Sequence, residues 1–126
     1  MITLDEIVLP TDLVWVDEFN WNPIQQKITK TLTGALVVES AILQTGRLIT
    51  LQGHDNSGWI TRATLLLIQS KLTEINLEMT LTLNDERAFN VIFRHHETPL
   101  VAVPVFELTN PPSLHPYIIT LKLMEV

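Results

Sequence analysis

Few side chains in this sequence have the types and spacing that chemistry needs. His95, His96 and Glu97 are adjacent and have the composition of metal ligands. Neighbouring side chains on a strand point to opposite faces, so the two imidazoles cannot easily share one ion. The spacing also lacks the i, i+4 repeat of zinc-binding helices. His54, Asp55 and Ser57 supply the letters of a catalytic triad within four residues. A working triad is assembled from distant elements, with the base oriented by a third group, so these three read as a turn that satisfies its own backbone. The fourth histidine, His115, lies in a proline-rich loop. The carboxylate pairs Asp5/Glu6, Asp17/Glu18 and Asp85/Glu86 each fall in an apparent turn and read as solvated; as glycosidase acids they would need a cleft. Trp15, Trp21 and Trp59 could stack on a sugar, although buried anchoring is the commoner use of tryptophan. There is no G-x-S-x-G, phosphate loop or dinucleotide fingerprint. The expectation is that the protein is not an enzyme, with no catalytic, cofactor-binding or metal-binding residues and no cofactor.

The totals bound the remaining possibilities. A chain of 126 residues reads as a single domain, 1–126, able to bury one core. It has no cysteine, and therefore no disulfide or thiolate chemistry. The net charge is −6, with eight scattered Lys and Arg, which argues against nucleic acid and against an anionic membrane surface as partners. The N-terminus is acidic where a signal peptide is basic, and no long apolar run follows, so the chain reads as soluble and not exported by a cleaved signal. Charged residues make up 17%, below the roughly 25% usual for soluble domains. Fifteen threonines, many alternating with apolar residues, complete a surface that either encloses a large core or is covered in an assembly.

The elements that would position these residues are mostly strands. Residues 2–9 read as strand with a turn at Asp5-Glu6, closed by Pro10. Residues 24–33 alternate, with Ile24, Ile28 and Leu32 on one parity; Gly34 then separates a second strand. The apolar run 35–43 is expected to be buried on both faces. Residues 47–52 form the next strand and 53–57 a turn. Gly58-Trp59 leads to Thr61, a plausible N-cap, and to a helix over about 61–75. Leu65, Ile68, Leu72 and Ile75 mark its inner face, which Leu66 and Leu67 broaden; the helix is expected to be well covered and to lie across a sheet, with Trp59 wedged under its start. Residues 79–83 and 87–95 alternate about Asn84-Asp85-Glu86 as a hairpin, with Met79, Leu81, Leu83, Phe89, Val91 and Phe93 inward. Pro99 and Pro104 bracket a short or edge strand, and 117–126 closes the chain as a strand. The sum is eight or nine strands and one helix: a mainly β (β-rich α+β) fold, either an antiparallel β-sandwich or a rolled sheet with one flanking helix.

The segments TLTGALVVE, GRLITLQG, SGWITRATLLLI, MTLTLNDERAFNVIFRH and YIITLKLMEV, in this order, cover most of residues 24–126. Their pattern resembles small tail proteins of long-tailed bacteriophages and prophages, in particular the N-terminal domain of distal tail proteins and the tail-tube family. Gly46-Arg47 and Gly58-Trp59 are its most specific pieces. The resemblance implies a structural subunit of the tail or baseplate that self-associates into a ring, commonly a hexamer, with other phage tail proteins as partners. It implies residence in the host cytoplasm during assembly and then in the virion tail. The chain has room for the core domain only, without the second, often carbohydrate-binding, domain of larger distal tail proteins. Two alternatives come from the residues themselves: a β-sandwich binding module, for carbohydrate, using the tryptophans, and a small hydrolase using the histidines.

Overall fold

A computed structural model describes all 126 residues. Eleven strands and one helix are present: β1 Ile2–Leu4, β2 Ile7–Leu9, β3 Val14–Trp15, β4 Ile24–Lys30, β5 Leu36–Ile42, β6 Leu48–Gln52, β7 Trp59–Thr61, α1 Arg62–Leu72, β8 Met79–Thr82, β9 Ala88–Phe93, β10 Leu100–Pro104 and β11 Pro116–Glu125. Nine strands form one antiparallel sheet in the order β2-β1-β8-β9-β11-β6-β3, with β7 and β10 also pairing β11; β4 and β5 form a separate two-stranded sheet. The fold is thus mainly β with one helix, and no second large sheet makes a sandwich. The count exceeds the expected eight or nine because residues 2–9 fold back as two three-residue strands and because β3 and β7 are too short to show a period.

The organising strand is β11. Its first half pairs β10 and β7, and its second half pairs β6 and β9. Strict alternation lets Tyr117, Ile119, Leu121 and Leu123 enter the core while Ile118, Thr120 and Lys122 face outward. The hairpin of β8 and β9 forms as its pattern requires, with Met79, Leu81, Leu83, Val91 and Phe93 buried and Glu86 at φ 69° in the turn.

The helix departs from expectation along its length. Thr61 caps it, its hydroxyl accepting from the Thr64 amide at 3.4 Å, but the last helical residue is Leu72. Ile68 is buried, Leu65 and Leu72 pack partly on the core, and Leu66, Leu67 and Ile75 are exposed. The helix therefore touches the body along one narrow strip and leaves its broader apolar flank in solvent. Trp59 is not wedged beneath it. The indole is 44% exposed and donates to the His54 carbonyl at 3.2 Å. The tight crossing is made by backbone alone: Gly58 has φ +72°, and a Cβ on Gly53 would lie 2.7 Å from the Gly58 carbonyl oxygen.

The largest correction concerns residues 35–43. The run expected to be buried on both faces is exposed throughout β5, and every residue from 22 to 42 is exposed. A continuous apolar run says that a strand wants burial, not that its own chain supplies it.

Candidate functional site: a projecting β-hairpin arm

β4 and β5 pair over their full length, from Ile24↔Ile42 to Lys30↔Leu36. Between them the Thr31 carbonyl accepts from the Gly34 amide at 2.9 Å, Gly34 takes φ +83°, and the Thr31 amide donates to the Ala35 carbonyl at 2.8 Å. This is a three-residue loop ending in a left-handed glycine, a favoured way to close a hairpin. Directly paired residues share a face, so the register sorts the side chains. One face carries Ile24, Ile28, Leu36, Val38 and Ile42 with Gln26, Ser40 and Lys30 among them; the other carries Gln25, Lys27, Thr29, Val37, Glu39 and Ala41. The arm is amphipathic, and its apolar face lies in solvent: Ile28 is 61% and Ile42 76% exposed, and Leu32 stands free at the tip.

A polar knot holds the root of the arm against the body. Asp17 accepts from both the amide and the hydroxyl of Thr50, each at 2.9 Å. Arg47 donates to the Glu18 carbonyl at 2.8 Å and lies over the Trp15 ring at 4.5 Å, while Arg87 lies 5.3 Å from the same ring. Arg87 also pairs with Glu18 at 2.8 Å and with Asp85 at 2.6 Å. Glu18 above all, then Asp85, holds the guanidinium charged beyond its ordinary range, against partial burial that works the other way. Buried Arg94 reaches the Thr50 hydroxyl and, at 3.2 Å, Glu97. Of the carboxylates expected to be solvated, Asp17 and Glu18 are engaged in this knot and Asp5 reaches Lys71 at 3.7 Å; Glu6 and Asp85 stay exposed while pairing with Lys71 at 3.3 Å and Arg87, and Glu86 stands in solvent as expected. Beyond the root, all the arm's side-chain bonds stay within it, such as Thr31 with Thr33 and with the Ala35 amide.

The residues that could do chemistry do not converge. His54 and Ser57 exchange backbone bonds at 2.8 and 3.2 Å and close their own turn, as expected. His95 and His96 lie in an exposed turn, with His96 3.6 Å from Glu97. No group of three or more His, Cys, Asp or Glu is placed to hold a metal ion. His115 is buried between Phe106 and Tyr117, with its Nε2 2.8 Å from the Phe106 carbonyl oxygen. The indoles serve three separate surroundings. Trp15 packs edge-on against Phe89 under the arginines, Trp21 lines a shallow cleft of about 370 Å³ with Asp17 and Asn20, and Trp59 faces solvent on the sheet. In that cleft Asp17 is already committed to Thr50, which leaves little to recognise a sugar hydroxyl. No helix is long and apolar enough to cross a membrane. No known protein family, no curated protein and no solved structure matches the chain.

The arm was legible as two strands about Gly34, but its amphipathic face was not. The signal that reveals it is the pairing: folding the sequence about Thr33-Gly34 sets Ile24 opposite Ile42 and Ile28 opposite Val38, with Leu36 on the same face.

Proposed function

We propose that this protein is a structural subunit that self-associates through its arm, and that its setting is the tail or baseplate of a long-tailed bacteriophage or prophage, where copies form a ring, commonly a hexamer. The observation that carries the self-association is the arm's uncovered apolar face. A lone two-stranded hairpin is marginal in water, so a seven-residue ladder with five large aliphatic side chains on one face calls for a cover that this chain does not supply. The surface area agrees. A compact monomer of 14.3 kDa exposes about 6,800 Å², whereas this chain exposes 8145 Å². The excess, about 1,300 Å², is more than the roughly 800 Å² that one partner contributes to a standard interface. The tail setting rests on the resemblance of the ordered segments. A scaffold role also fits a molecule whose histidines and carboxylates serve turns, root and core.

Size-exclusion chromatography with light scattering tests the reading. The parent is expected to form oligomers that grow with concentration, and Ile28→Lys, which removes nothing from the core, is expected to be monomeric and equally stable. A parent that stays monomeric at its highest soluble concentration overturns self-association. Neighbouring genes for tape-measure and tail-fibre proteins would support the tail setting, and their absence would count against it.

A further inference from the structure

The body has an open sheet edge at β10, and its outer face continues the apolar theme. Ile118 on β11 pairs with Val103 on one side and Trp59 on the other, forming a three-strand row on the outward face. Thr120 pairs with Val101 in the next row. Val101, Val103 and Trp59 are exposed. The ladder also leaves hydrogen-bonding groups free. Lys122 donates to the Pro99 carbonyl and Val105 to the Pro116 carbonyl, at 2.8 and 3.2 Å. Alternation along an antiparallel pair then turns the amides and carbonyls of Leu100 and Ala102 away from β11, toward solvent.

We infer that the arm of a second copy of this chain adds to the β10 edge, setting its aliphatic face beside Val101 and Val103 so that the outward row of Val103, Ile118 and Trp59 continues onto the arm. This rests on the self-association reading above and specifies the receiving surface. Charge favours this occupant. Residues 22–43 carry Lys27, Lys30 and Glu39, net +1, while the rest of the chain carries six cations and thirteen carboxylates, net −7. Neither arm lysine has an ion-pair partner within its own chain, and exposed Glu107 lies just beyond the end of β10 with no cation on it. Main-chain bonds to Leu100 and Ala102 would supply adhesion, and the aliphatic row the register. Pro99 and Pro104 confine the strand added to that short window. Such a contact joins two different patches, so each copy gives one arm and receives one, and repetition closes a ring or runs on as a fibre.

Two variants separate donor from acceptor. Ile28→Lys with Val38→Lys breaks the arm and keeps the edge; Val101→Lys with Val103→Lys breaks the edge and keeps the arm. All four positions are exposed, and lysine is tolerated on sheet edges. Each variant alone is expected to be monomeric by light scattering, and an equimolar mixture to form a one-to-one pair that grows no further. In that pair, amide exchange at Leu100 and Ala102 is expected to slow in the arm-broken copy alone. The parent gives a second readout that needs no edge variant: the same two amides should be slower in its oligomer than in the monomeric arm-broken variant. An edge-broken variant that associates like the parent, a mixture that stays monomeric, or unchanged exchange at those amides overturns edge docking and leaves self-association standing. A monomeric parent overturns the earlier reading instead.

Discussion

Two hairpins of this molecule are built by the same local rules and end in opposite surroundings. β8 and β9 alternate about a turn with a left-handed residue, and one of their faces, with Met79, Leu81 and Val91, is sealed in the core. β4 and β5 alternate about Gly34, and the corresponding face, with Ile28, Leu36 and Val38, meets solvent. The difference lies in neighbours. β8 pairs β1 and β9 pairs β11, so that hairpin is locked on both edges, while β4 and β5 pair only each other. A hairpin's pattern states which face must be covered; the sheet it joins, or fails to join, decides what covers it.

Truncating one side chain in each hairpin should have very different costs. Leu81→Ala should lower monomer stability by about 2–5 kcal/mol, because it opens a cavity among fully buried neighbours. Ile28→Ala should stay within about 0.5 kcal/mol by urea unfolding of the monomer. Equal costs would mean that the arm folds back onto the body in solution.

Glycine substitutions give a smaller, parallel contrast. Gly58→Ala would place a Cβ 2.8 Å from Gly53 Cα and 3.1 Å from Leu13 Cδ2 at φ +72°, and a loss of about 1–3 kcal/mol is expected in thermal unfolding. Gly34→Ala has equal backbone strain at φ +83° and no atom within 4 Å. Because β4 and β5 pair only each other, the cost of about 1 kcal/mol should appear as faster amide exchange within them and leave the global transition unmoved.

Acid gives the smallest effect, and only through the body. Burial works to raise the Asp85 carboxyl, but the Arg87 amide and guanidinium outweigh it and hold the group below its ordinary 3.8. Glu6 is held below its ordinary 4.5 by its own backbone amide and then by Lys71. A carboxyl depressed on folding stabilises above its unfolded pKa and loses that contribution as pH falls through the folded one. Parent stability should therefore decline slightly more below about pH 4 than that of Arg87→Met, in urea midpoints taken across the carboxylate range. Coincident profiles would show that the Asp85–Arg87 pair contributes nothing measurable. Both groups are exposed, so the difference should be small.

By itself the sequence determined what short-range physics controls. Alternation set the β8–β9 hairpin and the inward face of β11, Gly34 and Gly58 set two turns, Thr61 set the helix start, and the prolines set β10 at an edge. It also showed His54, Asp55 and Ser57 to be a turn, since residues so close satisfy one another before they can serve a distant substrate. Tertiary structure decided everything that depends on a partner across space. It carried the apolar β5 away from the core, left Leu66, Leu67 and Trp59 in solvent, and drew Asp17 and Glu18 into the knot with Thr50, Arg47 and Arg87. The physical reason is that side-chain period encodes a preference for burial on one face, whereas burial itself requires a second surface brought up from elsewhere in the chain. For the arm this chain brings up no such surface, and there the pattern and the environment disagree.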